Sequence, residues 1–242
     1  MKALVDIGNS RTKFVFESNG SLSEVFVVNN DILSSKWYAQ RWLAVTHIYL
    51  ACVSNKKLAT EISNWSKKSN IQCDVIVSEG ERFGVKSAYK HEQSLGVDRW
   101  LALIGGLKLY PNRNIVIIDA GTATTIDVVD ASGVHQGGWI LPGIELMKES
   151  LLAGTSNVVA RPQESTSIAF GKNTTDCVNN AAWAATTGGV NVAITQARTL
   201  LKSVEQVILT GGNGALLQPF LPSSSVVHND LIFHGIQRYS SL

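Results

Sequence analysis

The chain carries the same short pattern twice. Leu4-Val5-Asp6-Ile7-Gly8-Asn9-Ser10-Arg11-Thr12 and Ile117-Ile118-Asp119-Ala120-Gly121-Thr122-Ala123-Thr124-Thr125 both read apolar-apolar-Asp-x-Gly-(Asn/Thr)-small-x-Thr, and an apolar strand pattern follows each. A lone Asp-x-Gly is common by chance and marks an ordinary hairpin turn. Two copies in one strand–turn–strand setting point to a duplicated unit, and internal similarity constrains a fold more than any single motif does.

The chemistry of the repeat suits a nucleotide. Glycine lets the backbone turn tightly and approach a phosphate with no side chain in the way. Exposed N–H groups and Asn, Ser or Thr side chains then donate to phosphoryl oxygens. An Asp at the strand end does not bind phosphate itself, but it can hold Mg²⁺, its water shell or another bridging cation. Two such hairpins would grip one nucleotide from both sides.

Strand and helix patterns alternate along the chain, which favours an α/β class. Strands are expected over 3–7, 12–16, 22–28, 47–53 and 73–77, then 114–119, 123–129, 134–141 and 206–210, with a short piece at 226–227. Helices are expected over 31–43 with Asp31 as N-cap, and over 58–67, 97–109 and 145–152. A further helix over 174–201 contains Gly188-Gly189 as a potential break, and a short helix ends the chain. No low-complexity linker separates the copies, so domains of 1–113 and 114–242 are expected.

Other classes find little support. Hydrophobic residues make up 45% and charged residues 17%, as in ordinary globular proteins, and the formal charge is only +2. That charge, without a dense Lys/Arg tract, argues against nucleic-acid binding. Asp6 interrupts any signal-peptide core and no apolar run spans a bilayer, so a cytoplasmic protein with no membrane partner is expected. Cys52, Cys73 and Cys177 form no CxxC pair, and the five His are scattered, which suits reduced thiols and no zinc site. Gly171-Lys172-Asn173-Thr174 only imitates a Walker A tail, since position 166 is Thr. Gly212-Asn213-Gly214 lacks the third glycine of a dinucleotide fingerprint.

Between the copies lies Tyr89-Lys90-His91-Glu92-Gln93-Ser94-Leu95-Gly96-Val97-Asp98-Arg99-Trp100. Gly96 precedes a helix, so Asp98 and Arg99 fall in its first turn. Asp is favoured there by the helix dipole, and that alone explains it. Arg is not favoured there, which suggests that it anchors an anion or carboxylate. Trp37, Trp42, Trp65 and Trp183 fit helical packing positions, and Trp100 would support the segment from behind. His135 and Asp127 fit structural roles, with Asp127 the better outside candidate for phosphate or metal work.

The repeated loop resembles the phosphate loops of the acetate kinase, sugar kinase, Hsp70 and actin superfamily. That implies two duplicated ribonuclease H-like (actin-like ATPase) α/β domains with mixed sheets and a cleft between them. Leu209-Thr210-Gly211-Gly212 stands in the order of its third, adenosine-side segment. Gly96-Val97-Asp98-Arg99, Asp119 to Thr125 and Gly137-Gly138-Trp139-Ile140-Leu141-Pro142-Gly143 resemble, more narrowly, the type III pantothenate kinase family. The likeness covers nearly the whole chain, with Ser10 where Thr is common and Val97 where Ala is common.

The resemblance implies ATP-dependent phosphorylation of pantothenate, the first step of coenzyme A biosynthesis. On these residues it places ATP on Asp6, Ile7, Gly8, Asn9, Ser10, Arg11, Thr12 and Lys13, with Thr122 also touching it. Asp6 would steer Mg²⁺ through water, and Asp119 would bind a monovalent cation, K⁺ or NH₄⁺. Asp98 would be the general base. Tyr89, Gly96, Val97, Asp98, Arg99 and Thr174 would hold pantothenate, Thr174 from a partner subunit of a homodimer. A phosphohydrolase, another small-molecule kinase, a non-catalytic transcriptional accessory factor and a filament-forming actin relative remain alternatives at this point.

Overall fold

The structure is a computed structural model, and it describes residues 1–156, 158–161 and 166–241. The chain divides into two compact units, Met1–Pro111 with Asp230–Leu242, and Asn112–Asn229.

The first unit opens with β1 (Lys2–Ile7), β2 (Arg11–Ser18), β3 (Ser21–Leu22) and β4 (Phe26–Asn29). It continues through α1 (Ser35–Arg41), β5 (His47–Cys52), α2 (Lys56–Lys68), β6 (Gln72–Ile76), β7 (Glu81–Arg82), β8 (Val85–Lys86) and α3 (Val97–Leu109). The main sheet runs β3-β2-β1-β5-β6, with β4 as a second partner of β2. β1 is antiparallel to β2 and parallel to β5, and β5 is parallel to β6. Ala3, Val5 and Ile7 face a core with Phe14, Tyr38, Trp42, Leu58, Ile62 and Trp65, which buries α1 and α2 against that side. Trp37 packs at its margin, so the expected packing roles of these tryptophans hold.

The second unit contains β9 (Ile115–Ala120), β10 (Ala123–Val129), β11 (His135–Pro142), α4 (Ile144–Gly154), α5 (Thr174–Leu201), β12 (Gln206–Thr210), α6 (Gly214–Leu217) and β13 (Ser225–Val227). Its sheet runs β11-β10-β9-β12-β13. β9 is antiparallel to β10 and parallel to β12, and β12 is parallel to β13. Val116, Ile118, Ile126, Val207 and Leu209 pack against Val190, Ala193, Ile194 and Ala197 of α5. The five-strand path of each sheet thus has three antiparallel strands followed by two parallel ones in the order 3-2-1-4-5, and the first sheet adds β4 beside β2. The repeated motif is the first hairpin of each sheet, and the architecture is the expected duplicated α/β fold with mixed sheets.

Several local expectations change. The helix expected over 31–43 is shorter, because Ser34 is extended and its hydroxyl accepts the N–H of Trp37 at 3.3 Å, making Ser34 the cap in place of Asp31. The single strand expected over 22–28 is two short ones. Asn19 and Gly20, with φ of 51° and 79°, turn β2 into β3, a conformation these two residues favour. Gly188-Gly189 does not break α5. A Cβ at Gly189 would stand 3.2 Å from Leu141, whereas Gly188 faces open space.

The terminal helix α7 (Leu231–Ser240) belongs to the first unit, although a boundary at 113 assigns it to the second half. Its apolar side, Leu231, Ile232, Phe233 and Ile236, is buried. A Cβ at Gly105 of α3 would lie 2.2 Å from the carbonyl oxygen of Leu231, and one at Gly235 would lie 2.1 Å from that of Leu101. Two bare glycines therefore let α3 and α7 touch backbone to backbone.

Candidate active site

In the first unit, β1 ends at Ile7, turns over Gly8–Ser10 and returns as β2. Asp6 is 8% exposed and lies opposite Lys13 in the ladder, so the two share the sheet face turned away from the aromatic core. Gly8 is confined, because its N–H donates to Arg11 at 3.0 Å and a Cβ would meet that same oxygen. Asn9, Ser10 and Arg11 are exposed at the tip, while Ile7 and Thr12 point into the core. Ile7 can therefore offer a ligand only backbone. Thr12 donates its hydroxyl to Asn30 at 2.7 Å, and Asn30 in turn donates to the carbonyls of Gly8 and Asn9. Sequence reading missed Asn30, since a lone Asn after a strand carries no motif. Beside the loop, burial pushes the Cys52 thiol up, with the charge of Asp6 contributing.

The segment before α3 is anchored by Ser78, whose hydroxyl donates to the Leu95 carbonyl at 2.7 Å. Gly96 caps the helix with φ −57° and ψ 136°, outside helical geometry. Asp98 folds back over this cap, and its Oδ1 accepts the Arg99 N–H at 2.8 Å. A Cβ at Gly96 would stand 2.5 Å from that oxygen, which explains the glycine. Val97 is buried beside it.

Arg99 is only 5% exposed, donates to the Tyr89 hydroxyl at 2.9 Å and lies 5.7 Å from that ring's centre. The two residues expected to share a pocket wall are therefore in contact. Trp100 is fully buried and donates to Tyr239, which donates to Glu79, itself paired with Arg82. Trp100 thus ties the first turn of α3 to α7. Sequence reading also missed Tyr239 and Glu79, which lie far from this segment in the chain.

In the second unit, Asp119 on β9 lies between Thr125 on β10 and Thr210 on β12, three polar side chains in one row across the sheet. The turn after β9 is one residue tighter than its counterpart. Asp119 is opposite Thr125, whereas Asp6 is opposite Lys13, so Thr12 and Thr125 are equivalent in sequence but not in the ladder. Gly211, at φ 83°, presses against Asp119, and a Cβ there would be 2.3 Å from Asp119 Oδ1. The third glycine segment and the second Asp loop are thus one assembly. Thr122 is exposed, and its carbonyl accepts the N–H of Gly143 at 3.0 Å. Thr174 is exposed at the first turn of α5, capped by Asn173. Asp127 is 2% exposed and meets His135 at 2.9 Å, which makes the pair internal and removes Asp127 as an outside candidate for phosphate or metal.

Among the described residues, no three His, Cys, Asp or Glu side chains converge as a metal cage. Asp6 and Asp119 each stand near the end of a strand in their own unit, and each carboxylate fits an ion that completes its shell with water and phosphate oxygens. No described helix is long and apolar enough to cross a membrane.

Comparison with known proteins bears on the family and the fold. The sequence profile of the type III pantothenate kinase family matches residues 3–196. A type III pantothenate kinase of Colwellia psychrerythraea is 40% identical, covering 99% of this chain and 100% of that one. A Campylobacter jejuni structure described as a Baf family transcriptional activator superposes with a TM-score of 0.64 at 24% identity, covering 99% of this chain and 100% of that one. A Sinorhizobium meliloti structure described as a 2-dehydro-3-deoxygalactonokinase gives 0.60 at 11% identity, covering 99% and 98%. These two likenesses concern the fold, and the first two findings concern descent. The chain belongs to the type III pantothenate kinase family.

Proposed function

We propose that this chain transfers the γ-phosphate of ATP to the 4′-hydroxyl of pantothenate, with Asp98 as the base, in the first step of coenzyme A biosynthesis. The observation that carries the assignment is the capped first turn of α3, where Gly96 leaves room for the Asp98 carboxylate and Arg99 is held by Tyr89. Phosphoryl transfer asks a protein mainly to align the reactants and neutralise phosphate charge. Asp98 accepts the hydroxyl proton as the oxygen attacks phosphorus and ADP leaves. Arg99 is a planar fork suited to the pantothenate carboxylate, and its low exposure strengthens that attraction. Gly96 and Val97 contribute backbone, Tyr89 lines the pocket, and Thr174 reaches the substrate from a partner subunit.

ATP rests on the loop from Asp6 to Lys13, with N–H groups at the tip and the Lys13 ammonium toward phosphate, and Thr122 is a further ATP contact. Mg²⁺ bound with ATP supplies charge neutralisation, and Asp6 would hold its water. Asp119 would hold K⁺ or NH₄⁺. The homodimer reading is supported by apolar surface on the second unit: Trp139 and Ile140 on the edge strand β11, and Val192 and Leu200 on α5, are 42 to 64% exposed. Three free cysteines suit the cytoplasm.

Mass spectrometry of a reaction with Mg-ATP and pantothenate tests the assignment. Phosphopantothenate should appear in step with ADP. ADP formed without it would make the chain a hydrolase or a kinase of another acceptor.

A further inference from the structure

Asn30 makes four hydrogen bonds to the first phosphate loop. It follows directly on β4, whose residue Asn29 pairs with Arg11, so β4 delivers Asn30 to the back of the turn. Its Nδ2 donates to the carbonyls of Gly8 at 3.1 Å and Asn9 at 3.0 Å. Its backbone N–H donates to the carbonyl of Ser10 at 3.0 Å. Its Oδ1 accepts the Thr12 hydroxyl at 2.7 Å. The amide has one workable orientation, because turning it over would set its oxygen against two carbonyl oxygens.

These bonds have a directional consequence. In a trans peptide the C=O and N–H point to opposite sides, and no peptide bond here is cis. Holding the carbonyls of Gly8 and Asn9 toward Asn30 turns the N–H groups of Asn9 and Ser10 away from it, toward the exposed side of the tip. Adjacent N–H groups aimed the same way form an anion-binding concavity. Asn30 does this without charge, so it does not repel the phosphate it prepares for.

We propose that Asn30 is the positioning residue of the first phosphate loop, setting the backbone donors for nucleotide phosphate without touching the nucleotide. The inference rests on the kinase reading only in taking ATP as the ligand of this loop. It is independent of the acceptor.

Calorimetric titration of Asn30→Ala and Asn30→Asp with Mg-ADP tests it, alongside kinetics with ATP and pantothenate. Losing two hydrogen bonds should weaken ADP binding about ten-fold. The KM for ATP should rise to match, and the KM for pantothenate should stay within about two-fold, as expected of a local effect. Asn30→Asp keeps the shape and the acceptor for Thr12 but cannot donate to the carbonyls, so it should lose at least as much affinity as Asn30→Ala. Either variant binding ADP as tightly as wild type overturns the proposal. So does a parallel loss of ATP and pantothenate affinity with a lowered melting temperature, which would mark general damage, and so does a wild type that binds no ADP. ADP binding that depends on Asn30 without any pantothenate turnover would sustain this proposal while removing the assigned acceptor.

Discussion

At Gly96 the absence of a side chain is what permits Asp98 to fold over the helix cap, since a Cβ would stand 2.5 Å from its carboxylate. Gly96→Ala should therefore displace the proposed base while leaving the nucleotide loop alone. The expected result is a fall in kcat of about ten-fold or more with ADP affinity unchanged, as a shift of an ångström at a reacting group commonly does. Unchanged kcat would show that Asp98 does not work from this position. Gly211 is constrained for a related reason, with its left-handed φ and the Asp119 carboxylate directly against it. Both glycines stood inside motifs legible in the sequence. Asn30, Tyr239 and Glu79 did not, because their importance comes from bonds to residues far along the chain, which a local pattern cannot display.

At the level of elements, glycine has opposite meanings in two helices. Gly105 lies where α3 meets α7 through backbone, so Gly105→Ala forces the helices apart and should destabilise by about 1–3 kcal/mol. Gly188 on α5 faces open space with helical geometry, so Gly188→Ala should stabilise by about 0.5–1 kcal/mol. Denaturant titration reads both, and matching signs would contradict this account of the two contacts. Most strands and helices are legible because apolar spacing reports burial on one face, whereas the two-residue strands β7 and β8 are too short to show a period. The long helix is legible over its whole length, and Gly188-Gly189 stands in it only as a potential break, since propensity alone cannot see that Gly189 fits closely beside Leu141. The first helix is shorter than expected because the cap is set by the extended backbone and side chain of Ser34, which local pattern does not show.

For the whole molecule, the internal repeat announced two like units, and the sheets share one strand order. What the repeat could not reveal is that α7 returns to the first unit, because its buried partners lie on α3 rather than on neighbouring sequence. The exposed apolar surface of β11 and α5 should be covered by a second copy. Light scattering should then find one species at twice the 26.1 kDa chain mass, and Ile140→Asp should shift it toward the single chain. A monomeric wild type would leave that surface, and the shared role proposed for Thr174, without support.

The most direct test of the central claim is ADP formation by wild type and Asp98→Asn with Mg²⁺ and K⁺, with and without pantothenate. The account predicts turnover that depends on pantothenate in wild type, and a loss of at least about a hundred-fold in Asp98→Asn with ADP affinity retained. Asp98→Asn turning over near the wild-type rate, or wild-type ADP formation indifferent to pantothenate, would contradict it.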